Sequence, residues 1–340
     1  MTGTEHPLQK KTVDVPAYPP LLRVVHPSTS WKFALWPWDE LRSRTHKVFQ
    51  FEARNLRRGR SRDAFQAMSR QYLMLTAGIA MVAGILLLLI QRAGIDLFDY
   101  VLGIMFAASV LDKFYFDFVG LAAGVDIVSK DMTESRWDLL LLSDVSMGEL
   151  IRAKHVVTQL RAWRTMLLVI CLRLSVLIFM LEWIFIQPLL RPRDEFYNGI
   201  YDLSITSLDE LFAAFAILSI LTIAAVVYLW EPRWRLRALA AGGVRASTYS
   251  RDTTAGLMRT AGTFLRLWMG QVSTLLVLLF ASSFLSGAAA ILNEVIPLFA
   301  LVVVAFAMFS AWMLRSIYTL FTTRRLNEAH YRLVALGGSE

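Results

Sequence analysis

The chain has 340 residues, 56% of them hydrophobic and 18% charged, with a mean hydropathy of +0.49 and a formal net charge of +8. Its apolar residues come in long blocks, which excludes an ordinary soluble domain and points to an all-α, polytopic membrane protein. The basic excess calls for no nucleic acid, because Lys and Arg beside membrane spans face anionic lipid headgroups.

Residues 1–44 read as a loose extension without a signal peptide, the first 30 having neither a helical nor a strand period and carrying prolines such as Pro7, Pro16, Pro19 and Pro20. Trp31, Phe33, Trp36 and Trp38 form an aromatic cluster near its end, suited to the headgroup layer or to a partner protein. Over 45–70, Phe49, Ala53 and Leu56 share one face while Arg54, Arg57 and Arg58 point elsewhere, which predicts an amphipathic helix lying in the interface.

A hydrocarbon core about 30 Å thick requires roughly 20 residues of helix. Six stretches meet that length, near 72–90, 97–121, 165–188, 209–230, 266–286 and 295–314, so 71–316 reads as a six-span domain and 317–340 as a cytosolic tail. With the N-terminus inside, the inner segments hold 13, 6, 7 and 4 Lys or Arg, against Arg92, Arg191 and Arg193 outside. That asymmetry predicts an N-in, C-in protein of the inner (plasma) membrane. The single cysteine, Cys171, falls in the third span and reads as a small apolar side chain.

Ionisable residues inside spans are costly and normally face a partner. Five occur: Asp112, Lys113 and Asp117 in the second span, Arg173 and Glu182 in the third. Lys113 and Asp117 are spaced to pair along one helix, and Asp112 and Arg173 lie at similar depth and are expected to pair between helices. Glu182 has no obvious mate. Such charges serve either as a two-state lock or substrate path, or as pairs that only fix helix packing.

Between the second and third spans, Asp131-x-x-Glu134 and Ser146-x-x-Glu149 have capping-box spacing and predict two helix starts. The result is an elbow over 131–162, with one helix from about 132 to 142, a break at 143–145 and a restart at Met147. Trp137, Leu140, Leu141, Leu150, Ile151 and Lys154 fall at helical spacing and would form a ridge beside Glu134, Asp138, Glu149 and Arg152, suited to a groove on a soluble partner.

The run Glu134, Trp137, Asp138, Leu139, Leu140, Leu142, Ser143, Ser146, Glu149, Ile151 and Lys154 resembles the cytosolic segment between the second and third spans of ABC-2 type permeases. Ser135-Arg136 stands where that family usually has Gly-Thr, and Asp144 where it has a turn proline. The likeness, with the six-span plan and the preceding amphipathic stretch, covers roughly 45–316. It implies a permease subunit of an ATP-driven transporter, more often an exporter, in which these residues couple to a separate ATP-binding cassette subunit. It also implies a second permease subunit, the same or different, with ATP and Mg held on the partner.

The chain has no G-x-x-x-x-G-K-[ST] phosphate loop, no G-x-S-x-G elbow, and no metal-ligand spacing among His6, His26, His46, His155 and His330. No catalytic residue, metal or resident cofactor is therefore expected. Two other readings stay open: a non-transporting membrane scaffold that assembles a larger complex, and a passive channel.

Overall fold

The computed structural model describes residues 62–92, 97–133, 146–186, 208–250, 253–291 and 296–336, and every element among them is helical. In chain order they are α1 (Arg62–Arg92), α2 (Leu97–Val125), the short α3 (Ser129–Thr133), α4 (Met147–Arg161), α5 (Trp163–Phe185), α6 (Leu208–Tyr249), α7 (Thr253–Ile291) and α8 (Ile296–Ala335). The N-terminal extension with its aromatic cluster lies outside the described residues, as does 45–61 of the amphipathic stretch. Residues 62–70 form the first turns of α1, continuous with the apolar stretch that follows.

Among the described residues, four helices are long and apolar enough to cross a membrane: Met68–Gln91, Trp163–Ile184, Ala214–Tyr249 and Leu301–Ala335. Their surfaces are inverted relative to a soluble protein, with Met74, Leu75, Ile79 and Val82 on α1 and Leu301, Met308 and Phe309 on α8 all exposed. Apolar area on that scale is stable only against lipid, so the chain is a multi-pass membrane protein. Helix α2 has the length but is interrupted by Asp112, Lys113 and Asp117, while Tyr100, Ile104, Tyr115 and Phe118 on it are exposed in the same way.

The spans expected to end at 230 and 314 do not end their helices. At 1.5 Å per residue the 42 residues of α6 and 40 of α8 reach about 60 Å each, twice the hydrocarbon thickness. Along α6 the character changes at Glu231: before it most side chains are exposed or half-buried, and after it most are buried and none is exposed. The second halves of α6 and α8 close around α4, burying Ile151, Val156 and Val157 with Ala241, Val244, Leu326, Ala329 and Leu333. The stretch read as a tail thus supplies core residues as far as Leu333. Polar residues interrupt the apolar run there, but Ala- and Leu-rich sequence sustains the helix beyond them.

Helices α2 and α6 run parallel, in a register where each residue of α2 faces the residue 118 or 119 further along the chain. Tyr228 donates to Ser109 Oγ at 2.8 Å, the Arg235 fork meets Asp117, and Leu239 covers Gly120. Next the backbones touch: a Cβ on Gly124 would lie 2.9 Å from Gly243 Cα, and one on Gly243 would lie 2.8 Å from the Leu121 carbonyl oxygen. One turn on, Ser247 Oγ accepts from the backbone N–H groups of Val128 (2.8 Å) and Ser129 (2.9 Å), capping the start of α3. Helix α5 runs antiparallel to this pair, with Phe179 against Phe98 at one end and Arg161, just before it, against Asp126 at the other.

Replacing Gly243 by Ala should cost about 1–3 kcal/mol, because backbone rather than a movable side chain occupies the space. Gly78→Ala, where a Cβ meets nothing within 4 Å, should be neutral or stabilise by up to about 1 kcal/mol. Thermal melting of both variants in detergent separates these outcomes, and equal melting temperatures would contradict the close approach.

Candidate functional site

Pro232 lies inside α6 and has no N–H to give the carbonyl of Tyr228 one turn back. Arg173 of α5 takes that place, its Nη1 donating to the Tyr228 carbonyl oxygen at 2.7 Å while its guanidinium stacks on the Tyr228 ring at 4.9 Å. The same guanidinium lies 2.9 Å from Glu231 Oε2 as an ion pair. Glu231 Oε1 accepts from Arg235 Nη1 at 3.1 Å and from the Tyr318 hydroxyl of α8 at 2.6 Å, and Tyr318 in turn accepts from Gln271 of α7.

Arg235 also presents Nε and Nη2 to the two oxygens of Asp117, a bidentate contact with both side chains fully buried. Asp117 accepts a further bond from Trp268 Nε1 at 3.2 Å, and Lys113 lies over the Trp268 ring at 5.7 Å. The knot draws on α2, α5, α6, α7 and α8. It brings Asp112, Asp117 and Glu231 together with Lys113, Arg173 and Arg235, three acids against three bases. Burying a charge costs several kcal/mol unless a partner and hydrogen bonds offset it, and the geometry supplies both for Asp117, Glu231, Arg173 and Arg235, while Asp112 and Lys113 are only half-buried. Arg173 reaches two acceptors on α6, and Arg235 holds Glu231 on its own helix and Asp117 across on α2, so each arginine binds both of its acceptors at once.

Two expected pairings are corrected. Asp112 is within electrostatic range of Arg173, but Glu231 and the carbonyl freed by Pro232 hold that guanidinium. Asp117 is taken from Lys113 by Arg235, whose planar fork matches a carboxylate as a lysine ammonium cannot. Glu182 is buried at the α1–α5 contact, neither carboxyl oxygen having a hydrogen-bond partner, in space that a Cβ on Gly84 would fill.

At the elbow, Ser146 caps α4, accepting from the Glu149 N–H at 3.3 Å, and both residues are exposed as their spacing predicts. Asp131 is not a cap: it lies within α3, buried, in an ion pair with Lys154. Ile151 and Lys154, read as part of an outward ridge, are 0% and 2% exposed, and Leu150 is buried with them. Their face is spent inside the chain, because α6 and α8 continue as helices and enclose α4. Glu134, Trp137, Asp138, Leu139, Leu140, Leu142 and Ser143 lie outside the described residues.

No known protein family, curated protein or solved structure matches the chain. The site therefore rests on its own geometry. Sequence reasoning missed Glu231, Arg235, Trp268, Gln271 and Tyr318. The first two sit in Glu231-Pro-Arg-Trp-Arg235, at a span boundary where basic residues are expected, so they read as ordinary flanking charge. Pro232 was the available signal, since a proline inside a helix frees a carbonyl that some donor must satisfy.

Asp117→Asn or Arg235→Gln alone should cost about 3–5 kcal/mol, because each leaves its partner buried and charged. Asp117→Asn combined with Arg235→Gln should cost clearly less than the sum of the two. Detergent or thermal denaturation of the four proteins gives the coupling, and strict additivity would mean the pair does not act as one.

Proposed function

We propose that the chain is the permease subunit of an ATP-driven transporter, with six spans, both termini in the cytosol, and coupling to a separate ATP-binding subunit through the elbow. The observation that carries this reading is the mounting of the segment that resembles ABC-2 permeases. Its two flanks, Asp131 in α3 and Lys154 in α4, are buried and paired with each other. Ser247 ties α3 to α6, and His155 Nε2 lies 3.0 Å from the Arg237 carbonyl oxygen of α6. A displacement of α3 and α4 at Asp131 and Lys154 would thus reach the α2–α6 seam through direct contacts.

In this mechanism the partner subunit binds and hydrolyses ATP and displaces the elbow, and α3, α4 and the second half of α6 follow as a block. The charge knot lies where that block meets the apolar halves of the helices. Arg235 joins α2 to α6 there and Arg173 joins α5 to α6, and in this reading the block pivots about those two contacts. Alternation of direction along α2, α5 and α6 fits chains that cross and recross a bilayer. Two copies of the permease, or this chain with a related one, would enclose the path, and export is the direction that the resemblance favours.

Isolation of the chain from its native cells in mild detergent should bring down a nucleotide-binding polypeptide, with ATPase activity that responds to the membrane subunit. Glu134→Ala with Trp137→Ala should reduce that response by about tenfold, the scale of losing a central contact residue. Recovery of the chain without such a partner, together with unchanged activity in the double variant, would leave the scaffold reading in its place.

A further inference from the structure

At the end of the bundle remote from the apolar belt, three guanidiniums surround one ring. Arg245 of α6, Arg332 of α8 and Arg259 of α7 lie 5.2, 5.2 and 5.7 Å from the centre of Tyr249. Arg259 also donates to the Tyr249 carbonyl oxygen, which joins the start of α7 to the end of α6. Arg245 pairs with Glu328, but that carboxylate is shared with Arg325 at 2.8 Å and Arg324 at 3.3 Å. Arg259 and Arg332 have no carboxylate among the described residues, and Arg332 Nε is buried without a hydrogen-bond partner.

The imbalance is wider than the three. Arg324 and Arg325 of α8 share Glu328 with Arg245, so with Arg259 and Arg332 these five arginines have one carboxylate in ion-pair contact among the described residues. Like charges so placed repel unless an anion sits among them. Stacking on a ring fixes a guanidinium's plane in advance, so its two N–H donors are already set for a bidentate acceptor. A tetrahedral oxyanion of charge near −2 offers enough oxygens for several such forks, which a single carboxylate does not.

We infer that the Arg245, Arg259 and Arg332 cluster around Tyr249 binds a phosphate-bearing anion, independently of whether the chain serves a transporter. The phosphate could belong to a soluble molecule or to a lipid headgroup. Tyr249 lies about 18 residues, or about 27 Å, along α6 beyond Glu231, where the helix leaves its exposed apolar half. Headgroups extend only about 5–8 Å past the hydrocarbon, so the position favours the soluble source.

The test titrates the full chain in detergent with pyrophosphate at low salt, using calorimetry, and in a parallel arm measures binding of nanodisc-embedded protein to phosphatidic acid. Saturable binding is expected, with Arg259→Gln plus Arg332→Gln raising the Kd by at least about tenfold, the scale of losing one charge-assisted contact. Arg70→Gln plus Arg164→Gln removes the same charge from exposed positions on other helices and should leave the Kd within about twofold. Arg259→Lys with Arg332→Lys keeps the charge and tests the fork, so it should also weaken binding and covers the case in which the glutamine variant does not fold. Loss in the pyrophosphate arm assigns a soluble ligand, and loss in the phosphatidic acid arm alone assigns a headgroup; either supports the site. Absence of saturable binding in both arms would overturn it, as would equal weakening by the Arg70 and Arg164 pair or undiminished affinity in the lysine variant.

Discussion

At Gly124 and Gly243 two helix backbones meet with no side chain between them, and the positions of most other polar contacts follow from that point. Helices in lipid gain little from apolar burial against each other, so close packing at small residues does much of the work of association. Gly120 and Gly124 supply the small residues on α2, and Gly243 supplies them on α6. Once the parallel register is set there, Arg235 is brought onto Asp117 two turns above and Ser247 onto the α3 backbone one turn below. A larger residue at either glycine would part the fork from its carboxylate.

The seam also explains how one chain holds two different environments together. Helices α6 and α8 begin with exposed apolar surface and end enclosed around α4, without interruption of the helix. At the change of environment stands Pro232, whose missing N–H admits Arg173 and, with it, the buried charges. A polar knot at this depth is a poor source of net stability, since paired charges roughly recover what desolvation costs. Its effect is to tie helices at fixed points: Arg235 joins Asp117 of α2 to Glu231 of α6, and Arg173 joins α5 to Glu231 and the Tyr228 carbonyl of α6.

Beyond the knot, the buried helix α4 is unusual in being polar. Lys154, His155, Thr158 and Gln159 are all buried, and each has a partner: Asp131, the Arg237 carbonyl, the Lys154 carbonyl and His155. A helix held this way moves with its neighbours or not at all. That rigidity connects α4 to the seam, and among the described residues of the run that resembles ABC-2 permeases only Ser146 and Glu149 are exposed.

Hydropathy and helical length are local properties, so the sequence by itself determined the class, the starts of the long helices from α2 to α8 to within a few residues except at α7, and the cap at Ser146. The charges inside the second and third spans were legible for the same reason, as residues too costly to face lipid. Their partners were not. Pairing depth counted along neighbouring spans favoured Asp112 with Arg173, whereas contact depends on which faces two helices turn to each other, and the glycine crossing sets that for α2 and α6. The continuation of α6 and α8 past the membrane was hidden because basic residues at a span end look the same whether the chain turns or goes on as helix. Only tertiary packing, by providing α4 with a shell, decided that they go on, that Ile151 and Lys154 face inward, and that arginines from three helices converge on Tyr249.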